Sequence, residues 1–254
     1  VFITSGFDGN SRKDHWSFNS LNGSWEEMNV FNGVGRRDAI SFSIGPYGFV
    51  GLGTDAINGK RKDVWRYNPM LDIWTQIQNL GTNGRTGAVA FTIGDKGYVG
   101  LGESSTLLND FWEYNYETNT WIPKSSFPSS ARKNAIGFQI GSRGYFGLGY
   151  NNIEGRLSDI WEYIPTEDRW LQKENLPFAG LESAVAFTIG NKAYVGTGLD
   201  SSGNKVNDFW EFNPMLPLMT ESPNQVLYFT GSRILIDYKA FDDFNTDNVF
   251  VLEP

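Results

Sequence analysis

The chain has no cysteine and only one histidine, His15. The first absence excludes disulfides, thiolate zinc sites and thiol nucleophiles, and leaves the redox compartment open. A lone histidine gives no ground for assuming an acid–base pair. Positive charge is also scarce: 21 Lys and Arg stand against 29 Asp and Glu, for a net charge of -8. Phosphate binding needs clustered positive charge, so neither nucleic acid nor an anionic membrane is expected as a general partner. No stretch approaches 18 consecutive apolar residues, so no membrane insertion is expected. The chain starts at Val1 without a signal-like segment, which suggests a mature form or a piece of a longer protein.

What is abundant is aromatic residues, at 15%, and glycine, at 29 residues. All nine tryptophans fall on one ruler: Trp16, Trp25, Trp65, Trp74, Trp112, Trp121, Trp161, Trp170 and Trp210. Members of a pair are nine residues apart, and successive pairs begin 49, 47, 49 and 49 residues apart. A fixed period near 50 marks a repeat architecture.

Each repeat holds four short apolar segments separated by turn signals. The first is Ala39–Ile44, Ala88–Ile93, Ala135–Ile140 or Ala184–Ile189, with small and large residues alternating as in a strand crowded towards an axis. The second is glycine-rich, as in Gly97-Tyr-Val-Gly-Leu-Gly102. Glycine weakens a strand, so its recurrence implies close approach of another backbone. The third begins with aspartate, as in Asp110-Phe-Trp-Glu-Tyr114, and puts Trp and Tyr on one face. The fourth centres on the second Trp of the pair. Four strands per unit with an aromatic signature read as blades of an all-β propeller.

The glycine-rich second strand, the paired tryptophans and the period near 50 resemble kelch repeats. The resemblance covers residues 1 to about 222. One departure is the end of the second strand, Leu-Gly or Thr-Gly where kelch repeats often have two glycines. The resemblance implies a single propeller domain over residues 1–254, with blade boundaries near 30, 79, 126, 175 and 222. Phe2-Ile-Thr-Ser-Gly6 aligns with a second strand, so blade one lacks its innermost strand in this sequence. Met219 stands where Trp74 does, so blade five is expected to keep its fourth strand. The tail, 223–254, aligns weakly with second and third strands and reads as a degenerate sixth blade. Six blades of four antiparallel strands are therefore expected, with the first and last incomplete. The alternatives are a piece of a larger ring, or a tail that supplies blade one's missing strand.

A residue that recurs in every blade is scaffold before it is site. On that ground the tryptophans are assigned to inter-blade packing. Asp63, Asp110, Asp159 and Asp208, with Asp14 before them, are assigned to capping of backbone amides at strand entry. Arg36, Arg85 and Arg132 each precede the inner-strand Ala by three residues, and blade five has Leu181 there. The resemblance puts that strand edge at the mouth of the central channel, where three guanidiniums would suit a carboxylate ligand; the alternative is that each pairs with a carboxylate of a neighbouring blade. The loops after the second strands share a position but not a sequence, and specificity usually resides in such loops. Their most capable members are Asp55, Glu103, Tyr150, Asn151 and Asp200. Asp243-Phe-Asn-Thr-Asp247 resembles the start of a calcium loop but lacks the later glycine and glutamate, and is read as a polar turn.

The expected function is recognition of a protein or glycan through the loops and mouth of one face, without catalysis, cofactor or metal. Repeats like these resemble the propeller domain of galactose oxidase, but its radical copper chemistry needs a crosslinked Cys and two His ligands. An alternative is a metal-free sugar enzyme of the sialic acid mutarotase kind, with the arginines holding the sugar acid. The chain is expected to act as a monomeric propeller or as part of a larger chain or complex. The dense, nearly identical repeats look like those of bacterial secreted or surface propellers, which with the acidity and missing cysteines points to an extracytoplasmic location.

Overall fold

The computed structural model describes residues 1–214 except Asn58, together with the backbone of strands 220–222, 225–230, 233–238 and 248–252. Met219 and the 243–247 segment lie outside the described residues. The architecture is an all-β propeller of five blades. Blade two is typical: Ile40–Ile44, Tyr47–Gly51, Val64–Asn68 and Ile73–Gln76 form one antiparallel sheet in that order. Blade three repeats it with Val89–Ile93, Lys96–Gly100, Phe111–Asn115 and Thr120–Lys124. Blade four uses Ile136–Ile140, Arg143–Gly147, Ile160–Ile164 and Arg169–Gln172. Blade five uses Val185–Ile189, Lys192–Gly196, Phe209–Phe212 and Thr220–Ser222, so its fourth strand is present. Blade one has three strands, Phe2–Phe7, Ser11–Asn19 and Ser24–Glu27.

The expectation of six blades is corrected to five. In the tail, strands Gln225–Thr230, Arg233–Tyr238 and Asn248–Leu252 form a three-stranded antiparallel sheet of their own. Short apolar segments suffice for a meander, whereas a blade also carries the Trp register, which ends at Trp210.

The tryptophan spacing follows from strand register. The third-strand tyrosine lies directly opposite the outer Trp, as Tyr67 to Trp74, Tyr114 to Trp121 and Tyr163 to Trp170. Their ring centroids are 4.8, 4.9 and 4.9 Å apart, within aromatic contact. The same two residues also bind the preceding blade. The Nε1 of Trp121 donates to the Gln78 carbonyl at 2.9 Å, and Trp170 to Ser125 at 2.9 Å. The tyrosine hydroxyl donates to an Asx side chain in its own outer turn: Tyr67 to Asp72, Tyr114 to Asn119, Tyr163 to Asp168. That Asx in turn accepts the backbone N–H of Asn29, Gln78 or Ser125 from the blade before. Blades two, three and four are thus each clasped to their predecessor.

Two kinds of crowding explain the glycines of the second strand. A Cβ at Gly144 would lie 2.2 Å from the Phe91 ring of the preceding blade, and one at Gly97 2.3 Å from Phe42. A Cβ at Gly147 would instead meet the Asp159 carbonyl at 2.5 Å, the backbone approach expected from sequence.

The Leu-Gly ending also has a structural reason. Leu52, Leu101 and Leu148 sit at φ 58, 62 and 57, in the left-handed region that favours glycine. All three are fully buried. Left-handed backbone costs a non-glycine residue about 1–2 kcal/mol, while burying a leucine contributes about 1.5–3 kcal/mol. Burial wins, so leucine holds a position that glycine would take on backbone grounds alone.

Candidate functional site

The turns at the inner end of each blade bring together residues that the sequence presents far apart. Arg36, Arg85 and Arg132 are 0, 5 and 0% exposed, and each forms a forked pair with the aspartate of its own blade. Arg36 donates to Asp63 at 3.0 and 2.7 Å. Arg85 donates to Asp110 at 2.6 and 2.7 Å, and Arg132 to Asp159 at 2.5 and 3.0 Å. Each guanidinium also donates to the carbonyl of the left-handed leucine, at 3.0 Å for Leu52, 3.2 Å for Leu101 and 3.0 Å for Leu148. The indole N–H of the inner Trp completes the unit, from Trp65 to Asp63 at 2.6 Å, Trp112 to Asp110 at 2.7 Å and Trp161 to Asp159 at 2.8 Å. Burial pushes the Asp63 and Asp159 carboxyls up, but the paired arginine and indole donors outweigh it and hold both below the usual range.

These arginines, expected either to hold a ligand at a channel mouth or to pair with a carboxylate of a neighbouring blade, are buried, and each is bound to a carboxylate of its own blade. The aspartates, expected to cap backbone amides, clamp an arginine and a tryptophan. Blade one keeps part of the unit, with Trp16 donating to Asp14 at 3.1 Å. Blade five keeps Asp208 and Trp210 but has Leu181 in place of the arginine, and neither an Asp208 nor a Trp210 side-chain hydrogen bond is found among the described residues.

The loops after the second strands pack beside these units. Asp55 is 1% exposed and accepts the N–H groups of Ile57 at 3.0 Å and Gly59 at 2.6 Å, besides pairing with Arg61. Burial raises its carboxyl, and those donors bring it below the usual range. Asn151 accepts from Ile153 and Glu154 N–H and donates to the Ala131 carbonyl at 2.7 Å. Asp200 accepts from Ser202 and Asn204 N–H, and the Asn204 amide above all lowers its carboxyl. These three residues share one register, and each holds its own loop in an Asx turn.

Glu103 and Tyr150 serve a different end. Glu103 lies 2.6 Å from Lys133 Nζ and 3.5 Å from Lys60 Nζ, joining the loops of three blades, and Lys133 above all lowers its carboxyl. Tyr150 bridges backbone with Lys133 and lies under the Arg156 guanidinium at 5.9 Å from the ring centre. Arg156 pairs in turn with Glu182 at 2.7 Å, and Asn134 donates to Glu182 at 3.0 Å. Lys60, Lys133, Arg156 and Glu182 were not singled out from sequence. The signal was available in Lys133 and Glu182, which share one register beside the inner strands yet carry opposite charge.

The loop tips are the exposed apolar feature of this face. Ile57 is 85% and Ile153 93% exposed, in equivalent loops of blades two and four, and Phe7 of blade one is 56% exposed. No family model matches the chain, and no curated protein matches it.

Proposed function

We propose that the protein is a non-catalytic recognition module of the kelch-propeller type, and that it binds a protein ligand through the loops that follow the second strands. The observation that carries this reading is Ile57 and Ile153, two nearly fully exposed isoleucines on loops whose bases are tied by buried Asp55 and Asn151. Apolar tips on preorganised loops lower the ordering cost of association and supply the anchor residues of an interface. The half-buried ionic chain Lys60–Glu103–Lys133 beside them gives the polar rim such an interface uses.

A glycan ligand finds less support. Trp74, Trp121 and Trp170 give their N–H groups to the neighbouring blade, and Trp65, Trp112 and Trp161 give theirs to aspartate. A sugar-acid enzyme would need the arginines, whose forks are occupied.

The test is crosslinking capture from the native source with the wild-type protein and with an Ile57→Asp, Ile153→Asp double variant, partners being identified by mass spectrometry and then bound as purified proteins. A purified partner should bind the wild type, and the double variant about tenfold or more weaker. Equal binding by the double variant overturns the reading. So does glycan-array binding with no protein partner, or accelerated anomerisation of sialic acid that is lost in Arg85→Ala.

A further inference from the structure

Leu181 breaks the arginine register, but only in its side chain. The backbone N–H of Arg85 donates to the carbonyl of Arg61, that of Arg132 to Leu108, and that of Leu181 to Leu157, the same bond in three blades. The carbonyls of Arg85, Arg132 and Leu181 accept from Gly53, Gly102 and Gly149 at 2.9, 2.8 and 2.7 Å. Blade five has therefore kept the frame that holds the guanidinium elsewhere, together with Asp208 and Trp210 in their usual register.

What changes is the space beside them. A cavity of about 220 Å³ is lined by Phe178, Leu181, Asp200, Val206, Asp208 and Trp210. Phe178 occupies the register of Ser129, whose hydroxyl serves Asp159 in blade four, and its ring lies 5.3 Å from Trp210. The pocket thus pairs an aromatic wall with two carboxylates. Asp208 is exposed, and Asp200 turns mainly to its own loop amides. Arg156, a cation that acts on Asp200, is already paired with Glu182. Blade one differs, because there the aspartate, Asp14, still accepts the Trp16 indole N–H, and the nearby Arg12 is forked on Asp8. Three internal copies show what this aspartate position grips when a partner is supplied: a guanidinium, forked on the carboxylate, with the indole N–H on the same oxygen.

We propose that the blade-five pocket takes the guanidinium of an arginine side chain on a bound protein, Asp208 accepting the fork and Phe178 and Trp210 flanking the stem. This rests on the recognition reading above and specifies one residue of the partner. A planar fork matches the carboxylate better than an ammonium does, so arginine should be preferred to lysine.

The experiment follows the Trp210 indole N–H by two-dimensional NMR, its peak assigned with Trp210→Phe, while N-acetyl-arginine amide is added to the whole chain. Saturable shifts with a dissociation constant on the order of 1 mM are expected, with N-acetyl-lysine amide weaker and uncharged N-acetyl-citrulline amide silent. Asp208→Asn, an exposed and structurally mild change, should weaken binding about tenfold or more. Leu181→Arg should abolish it by supplying the fourth internal guanidinium, with no loss of melting temperature. Absence of shifts in the wild type overturns the proposal, and so does undiminished binding by either variant. Because the probe is the arginine derivative alone, failure here leaves the Ile57 and Ile153 interface standing. Conversely, binding of the probe alongside a partner insensitive to Ile57→Asp, Ile153→Asp would sink the interface and keep the pocket.

Discussion

Replacing Arg132 by alanine tests the central structural unit most directly. The Arg132 side chain is 0% exposed and that of its partner Asp159 12% exposed. Removing the guanidinium leaves a carboxylate in that environment with only the Ser129 hydroxyl and Trp161 indole as side-chain donors. Breaking a buried pair from one side costs about 3–5 kcal/mol, mostly the penalty of the stranded charge. The three pairs grade that penalty, because the carboxylates of Asp63 and Asp110 are 20 and 32% exposed. Water solvates the stranded charge better as exposure rises, so the cost should fall in the order Arg132→Ala, Arg36→Ala, Arg85→Ala, the last nearer about 2 kcal/mol.

The pH dependence carries a sign. In the wild type Asp159 is held below its unfolded value, so its contribution is present above about pH 4 and is lost as pH falls through the folded value. In Arg132→Ala the largest remaining influence is burial, which raises the carboxyl. The variant's deficit should then be greatest near about pH 7 and shrink towards about pH 4.5, as protonation relieves the stranded charge. Urea denaturation at both pH values measures this. A cost below about 1 kcal/mol, a reversed order among the three arginines, or a deficit that grows on acidification would refute the reasoning.

Three further outcomes are expected. Gly97→Ala drives a Cβ to 2.3 Å from the Phe42 ring and should lose about 1–3 kcal/mol, whereas at Gly48 the nearest atom is 3.9 Å away and Gly48→Ala should be neutral or stabilising by up to about 1 kcal/mol; paired thermal melts check this, and equal effects would count against the ring contact. His15 is 1% exposed, neither ring nitrogen has a well-formed hydrogen bond, and burial lowers its pKa against smaller opposing influences from Ile3 and Asp72. The neutral form is thus the folded one, so stability should be lost as pH falls below about 6.5, and His15→Val, which copies Val64 of blade two, should flatten the curve between about pH 7 and about pH 5; a slope unchanged in the variant would exclude His15 as its source. Leu101→Gly relieves the left-handed backbone but forfeits a buried side chain, so a net loss of about 1 kcal/mol is expected in chemical denaturation, and a gain would reverse the weighting of strain against burial.

Much of the fold was legible because a propeller repeats its physics at each turn. Trp65 and Trp74 recur since one must reach Asp63 and the other must cover Tyr67 and the preceding blade, and no neighbouring position does either. The clasps through Asp72, Asn119 and Asp168 were as regular, but Asx in a turn is common enough to pass as turn chemistry, and the partner amide lies 41 to 43 residues away. The arginines and aspartates were each legible as repeats, and a carboxylate partner for the arginines was weighed, but in a neighbouring blade and not as the repeating aspartate of the same one. They are 27, 25 and 27 residues apart, and their spacing changes with the loop between them, which hides the pair from any fixed-offset search. The blade count failed for a related reason: apolar alternation in 223–254 specifies strands, whereas the Trp register specifies a blade, and it ends at Trp210.

The same logic decides where function is to be sought. A residue kept in register through blades two to four is held there by its neighbours, and altering it costs stability, as Arg132 should show. A residue that departs from register while its frame persists is free of that constraint. Ile57 and Ile153 are exposed where Thr106 and Ser202 stand in the other loops, and Leu181 leaves Asp208 without an arginine fork among the described residues, on an intact backbone. Exposing isoleucine to water and leaving a carboxylate without its arginine add nothing to the stability of the isolated chain. Both become favourable together when a partner covers the loop tips and supplies a guanidinium, which is why these three departures, on one face, define the surface to test first.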